Sequence, residues 1–297
     1  MRTSSRPVWM EPPTRLGLAA KVMTLVIISF VVLYPFAAVV MTSLSTQDEI
    51  TRNGGLVLFP VEPTLEAYRV IFSGGTVTRA LLVSVAVTVA GTLASLSVTV
   101  AMAFALARRE LTGGRAILMV ALFTMLFSPG IIPNYLLVKE LGLLNSFGSL
   151  ILPALVSAFN LVVLRSFFMG LPQELLESAR MDGAGDLRIL LRIVLPLSKA
   201  VVAVVSLFYA VAYWNAFFNA LLYLESDKWP LPLILRLYVL QGQPLGADIA
   251  AAAGEVPPPA QALQMAVVVV ALVPILLVYP FLQRYFTKGV LTGAVKG

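Results

Sequence analysis

The chain has 297 residues, 59% hydrophobic and only 12% charged, with a formal net charge of +6. Soluble domains run at about 45–50% apolar and about 25% charged residues, so most of this chain belongs in lipid. It has no cysteine and no histidine, which excludes disulfides, thiolate nucleophiles, Ser–His proteolysis and histidine metal ligands together.

The N-terminus starts basic, as a signal peptide does, with Arg2, Arg6 and Arg15. The uncharged apolar stretch that follows, residues 22–47, is too long for a signal core of about 7–15 residues and reads as a retained membrane helix. A span needs about 20 predominantly apolar residues to cross about 30 Å of hydrocarbon. Six stretches are assigned as spans: residues 21–43, 80–107, 116–137, 149–164, 200–224 and 261–283, the fourth being the shortest. A seventh apolar stretch, 229–239, is too short and contains Arg236, so it is assigned to an external segment. The connections at 44–79 and 225–260 are long, and loops of that length are either functional or passive connectors.

Basic residues concentrate in alternate connections: Arg108, Arg109 and Arg115, then Arg165, Arg180, Arg188, Arg192 and Lys199, then Arg284, Lys288 and Lys296, together with the N-terminal arginines. The positive-inside rule puts this set, and with it both termini, in the cytoplasm.

One cytoplasmic connection, residues 171–196, has the pattern of a bounded helix. Pro172 suits a first helical position, Glu174 the positive helix end, and Gly183 a C-terminal stop. Leu175, Leu176 and Ala179 form a short apolar stripe. A second short turn follows Asp186, and Pro196 marks the entry to the fifth span. From the residues alone two readings stay open: an element that transmits force from a soluble partner, or an amphipathic helix lying on the headgroups.

Glu177-Ser178-Ala179, three residues, Gly183, nine residues, then Ile193-Val194-Leu195-Pro196 resembles the EAA loop of binding-protein-dependent ABC importer permeases. That pattern reads E-A-A, three residues, G, nine residues, I-x-L-P, and Ser178 is the only departure. Tyr213-Trp214-Asn215 and the tail from Tyr285 to Gly297 look like the carbohydrate branch of the family, including the shorter permease subunit of maltose-type importers. The resemblance extends over residues 21–297.

It implies an all-α polytopic membrane protein: six transmembrane helices with a cytoplasmic coupling helix, the type I ABC importer permease fold. The division is a cytoplasmic segment 1–20, a transmembrane domain 21–287 and a cytoplasmic tail 288–297. Glu177, Ser178, Ala179, Gly183, Ile193, Leu195 and Pro196 fall at the ATPase-coupling site, where Glu177 pairs with a base on the ATPase, with Arg180 or with the membrane surface. The implied partners are a second, related permease subunit, two ATPase subunits, an external sugar-binding protein and membrane lipid, with no nucleic acid. The setting is a bacterial inner membrane. No G-x-x-x-x-G-K-[ST] occurs, so ATP and its Mg belong to the partner ATPase and no cofactor is expected on this chain.

The span centres carry no charge, which disfavours the alternative of an ion-coupled carrier or membrane scaffold. A neutral polar pathway suits a sugar, and its candidate lining is Asn134, Asn160, Tyr209, Tyr213, Trp214, Asn215 and Asn219. Tyr213 and Trp214 also suit interfacial anchors, and Asn160 helix–helix contact. By position, 225–260 matches the loop that reaches the binding protein in maltose-type importers. Trp229, Leu231, Leu233 and Leu235 would then form an apolar contact there, or else cover the chain's own outer surface.

Overall fold

The computed structural model describes residues 14–73, 75–108, 110–127, 129–241 and 260–294, with backbone alone for 239–241 and 281–294. Pro257-Pro258-Pro259 and the last three residues of the tail lie outside them. Helix α1 (Arg15–Ser43) is capped by Thr14, whose Oγ1 accepts the Gly17 N–H at 3.1 Å. The long connection after α1 holds α2 (Gln47–Arg52) and α3 (Glu66–Phe72). Then come α4 (Thr76–Ala107), α5 (Gly114–Leu126), α6 (Ile131–Glu140), α7 (Gly148–Ile151) and α8 (Ala158–Met169). The connection 171–196 forms α9 (Gln173–Met181) and α10 (Asp186–Ile189), then a π-helical turn, Leu190–Val194, and leads into α11 (Leu195–Leu197). Helices α12 (Lys199–Trp214), α13 (Phe217–Tyr223), α14 (Leu231–Gln241) and α15 (Ala260–Ala294) complete the order, with no strand among the described residues.

Among the described residues three helices are singly long and apolar enough to cross a membrane: α1, α4 and the Ala260–Pro280 part of α15. The other spans correct the sequence reading, because they are broken rather than continuous. The stretch 116–137 ends as a helix at Leu126 and restarts at Ile131, across Pro129-Gly130 with Gly130 at φ 87°. Proline lacks the N–H that would continue the ladder, and glycine takes the left-handed turn without a Cβ clash. The stretch 149–164 stops at Ile151, ahead of Pro153, and resumes at Ala158 under a Ser157 cap. The stretch 200–224 breaks at Asn215-Ala216, where Asn215 Nδ2 donates back to the Val211 carbonyl at 2.8 Å. No proline or glycine announces that break; the Asn side chain competes for the backbone instead. Pro172 is the N-cap of α9 rather than its first residue, and α15 stays helical past residue 283.

Helix α4 lies at the centre. Its buried stripe, Ala80, Ser84, Val87, Gly91, Ser95, Thr99 and Ala103, recurs every three or four residues and faces α12, α8 and α14. Among apolar lipid tails such contacts rest on close approach and interhelical hydrogen bonds, worth about 0.6 kcal/mol each on average. Small residues are what permit the approach. By contrast, every side chain of α1 up to Ala37 is exposed, and α5 buries none.

The two long connections are not passive. Ile50, Val57, Ala67 and Ile71 close a small second core with Leu231, Ile234, Leu263 and Val267. Glu49 Oε1 accepts the N–H groups of Val61 at 2.7 Å and Glu62 at 2.9 Å, and these bonds, Glu62 foremost, hold its carboxyl below the ordinary range. Leu231 and Leu233 are fully buried in the chain itself. They therefore cannot form a free contact for a binding protein, and of the two readings of that apolar group the self-covering one holds for them. Trp229 is half-buried and donates to the Leu224 carbonyl at 3.0 Å.

Candidate functional site

Two of the span interruptions meet at one cavity of about 620 Å3. Its wall includes Ala154, Val156 and Ser157 from the break in the fourth span, and Asn215 and Ala216 from the break in the fifth. Five of the seven lining residues expected from the sequence border it: Asn160, Tyr209, Tyr213, Asn215 and Asn219. Trp214 is 8% exposed and Asn134 sits half-buried on α6; neither reaches the cavity. Trp214 and Tyr213 are both buried, so neither is an interfacial anchor. Ser157, Phe159, Phe208 and Phe218 line the cavity and escaped the sequence reading. Pro153 was the available signal, since a proline inside an apolar stretch marks a break and breaks in lipid collect at sites.

The tyrosine hydroxyls are already engaged. Tyr209 Oη bonds Thr99 Oγ1 at 2.7 Å and accepts the Ser157 N–H at 2.9 Å. Tyr213 Oη bonds Ser95 Oγ at 2.7 Å and donates to the Ile151 carbonyl at 3.3 Å. Their rings rather than their hydroxyls therefore serve the cavity. Gly91 makes room for one of them: a Cβ there would lie 2.8 Å from two carbons of the Tyr213 ring. The side-chain amides of Asn160 and Asn219 make no hydrogen bond among the described residues, and Asn219 is exposed. The lining is two unengaged amides, several aromatic faces and no carboxylate, lysine or arginine. Such a set is chemically suited to hydroxyl-rich, ring-shaped molecules by hydrogen bonds and stacking, and holds no ionic group for proton or cation coupling.

The second site is the segment from α9 to α11. Helix α9 ends in a tight αL stop: Gly183, at φ 77°, donates to the Arg180 carbonyl at 3.0 Å, and Ala184 to the Ala179 carbonyl at 2.9 Å. This paired closure needs a residue that tolerates positive φ. Glu177 and Ser178 are exposed, whereas Ala179 is buried at 9% in the chain's own core. Ala179 thus seats the helix instead of presenting a docking surface. Ile193 and Leu195 are half-buried, and Pro196 is exposed just before an 89° bend between α11 and α12. Ser198, at that bend, is fully buried with an unpartnered hydroxyl.

Glu177 and Arg180 share a cleft of about 260 Å3 with Arg108 and Glu110. Arg108, at the end of α4, grips Asp186 at the start of α10 with two contacts, Nη2–Oδ1 at 2.5 Å and Nη1–Oδ2 at 2.8 Å. The hydrogen bond from Arg108 holds the Asp186 carboxyl below its ordinary range. An exposed pair like this adds little stability, but its two-point geometry fixes where the loop sits against α4.

A membrane chain with broken spans around a neutral cavity and a strapped short helix has the form of a transporter channel subunit. The family model described as "Binding-protein-dependent transport system inner membrane component" matches residues 96–292, and the chain belongs to that family. It is similar to YtcP of Bacillus subtilis, a polygalacturonan/rhamnogalacturonan transport system permease protein, at 46% identity over 92% of this chain and 96% of that one. Protein LplC of the same organism is 44% identical over 90% of each chain. A solved bacterial ABC transporter involved in import of the acidic polysaccharide alginate has a chain of the same fold, with TM-score 0.85 and 29% identity, over 95% of this chain and all of that one. The fold is thus that of an ABC importer permease. As a subunit of that class the chain is a transporter component of the inner membrane and not an enzyme, and ATP hydrolysis belongs to a separate ATPase. It works with ATPase and binding-protein partners.

Proposed function

We propose that this chain is one half of the channel of an oligosaccharide importer, moving its cargo inward by alternating access. The carrying observation is the cavity of about 620 Å3 where two broken spans meet, lined by amides and aromatic rings without an ionic group. The named cargoes of its relatives, polygalacturonan or rhamnogalacturonan for one and alginate for another, support an oligosaccharide over a small ion. Asn160 and Asn219 can donate to hydroxyl and carboxylate oxygens alike. The bare α1 helix and the open side of the cavity suit a second, related permease. Glu177, Ser178 and Gly183 then face an ATPase from α9, while Ala179, Ile193, Leu195 and Pro196 support that helix and the bend behind it. ATP and Mg sit on the ATPase, and both termini lie in the cytoplasm. The division into 1–20, 21–287 and 288–297 follows from the same reading.

The test is reconstitution of the complete transporter with its binding protein, followed by ATP hydrolysis and uptake of oligogalacturonates and of neutral oligosaccharides. Stimulation by one class, weakened by Asn160→Ala and Asn219→Ala together, is expected. Equal stimulation without any sugar would refute the reading.

A further inference from the structure

A second cavity, about 440 Å3, opens beneath the start of α5, between α4 and α8. Three arginines border it: Arg108 at the end of α4, Arg115 in the first turn of α5 and Arg165 on α8. Only Arg108 has a carboxylate partner, Asp186. Arg165 is held by its Nε, which donates to the Leu106 carbonyl at 2.9 Å, and its terminal nitrogens have no partner among the described residues. Arg115 is exposed and has none either. No acidic residue lines the cavity. Helix α5 adds to the same field, since its Gly113 cap supplies no side-chain acceptor and its first turn holds no acid. The free N–H groups of a helix start favour an anion.

The rest of the wall is apolar. Leu118, Met119 and Leu122 continue the cavity along α5, with Leu111 just ahead of that helix, and the adjoining face of α5 is exposed at Ile117, Val120 and Phe123. Charge at one end and a long greasy wall at the other is the polarity of an anionic amphiphile. A free phosphate would leave that wall uncovered, and an acidic protein segment would bring no tails for it.

We propose that this cavity binds an anionic phospholipid of the cytoplasmic leaflet, its phosphate between Arg115 and Arg165 and its acyl chains along α5. The site rests on the reading above only for which leaflet it faces. Basic pockets between membrane helices on that side hold anionic headgroups, with each arginine near the surface worth about fivefold in affinity.

The absence of cysteine from the chain makes a direct test simple. Met119→Cys places this chain's one thiol on the cavity wall. The complete transporter is placed in nanodiscs of phosphatidylcholine with or without phosphatidylglycerol, and the rate of maleimide labelling is followed. Phosphatidylglycerol should slow labelling, and Arg115→Gln should raise the phosphatidylglycerol content needed by about fivefold. Arg115→Lys should restore most of the protection, which a fold defect would not. Equal rates in the two lipids would overturn the proposal. So would equal protection by inorganic phosphate alone, which would mark a plain anion site. A lipid-independent crosslink from the introduced thiol to the ATPase would overturn it too, in favour of a protein contact. Sugar-stimulated ATP hydrolysis, measured on the same samples, tests the importer reading separately.

Discussion

Gly91→Ala probes the cavity wall at its tightest point. The added Cβ would lie 2.8 Å from Cε2 and Cζ of Tyr213, where carbon atoms ordinarily sit about 3.5–4.0 Å apart. The ring must withdraw by about 0.7 Å or more. It has little freedom to do so: Tyr213 is 5% exposed, and its hydroxyl is fixed by Ser95 and Ile151. Overpacking of this kind costs about 1–3 kcal/mol. Alanine returns part of that, because it is the better helix former by about 0.8–1 kcal/mol. A net loss of up to about 2 kcal/mol is expected, together with weaker sugar uptake as the ring is pushed off α4 toward the cavity. Thermal unfolding of the purified transporter measures the first and uptake at graded sugar concentration the second. In a Tyr213→Ala background the same substitution should be neutral or stabilising. An equal effect in the two backgrounds would refute the contact as the reason for the glycine.

Tyr209→Phe leaves the Ser157 N–H and the buried Thr99 hydroxyl without their shared partner, so a loss of about 1–3 kcal/mol is expected in the same unfolding assay. Asp186→Asn should leave assembly intact but lower the stimulation of ATP hydrolysis by loaded binding protein, and exchanging the charges of Arg108 and Asp186 should recover part of it. Because the folded carboxyl of Asp186 titrates below its ordinary value, the strap is complete above the unfolded value and fades as pH falls through the lower folded one. Stimulation in the wild type should therefore fall on acidification more steeply than in Asp186→Asn. Gly183→Pro is incompatible with φ 77° and removes the N–H given to Arg180; uptake should vanish while membrane abundance stays normal, and normal uptake would count against α9 as a coupling element.

Much of the α9 segment was legible because its signals are local. Pro172, Gly183 and Pro196 punctuate the sequence, and the spacing around Glu177 fixes the register of one short helix. What sequence could not say was which face that helix turns inward, so Ala179 joined the docking residues although it is buried in the core. The cavity was half legible. Neutral polar residues in lipid are rare enough to point at a pathway, which found Asn160, Tyr209 and Tyr213. Asn134 looks equivalent in sequence but lies on α6, away from the cavity. Hydropathy failed at the breaks, because a window of about 19 residues averages over Pro129-Gly130 and Pro153. The external core was missed for a related reason: Val57, Leu231 and Leu263 meet only through the fold.

The breaks raise a question of accounting whose answer ties the two sites together. Backbone groups freed inside hydrocarbon must find partners within the protein. In the fourth span the carbonyl left at Ile151 accepts from Tyr213, and the N–H left at Ser157 donates to Tyr209. Both tyrosines stand on α12, one helical turn apart, and both are anchored on α4 through Ser95 and Thr99. Helix α12 thus stitches the two lips of the opening that borders the cavity. Its other end runs through the 89° bend into the segment that Arg108 straps beside α9. A displacement of α9 therefore reaches the cavity wall through one covalent stretch of chain, and the lips of the fourth span must either follow the tyrosines or lose their hydrogen bonds. With each such bond worth only about 0.6 kcal/mol on average in a membrane, the exchange lies well within the scale of ATP-driven motion, whereas an unbroken fourth span would offer the tyrosines nothing to pull.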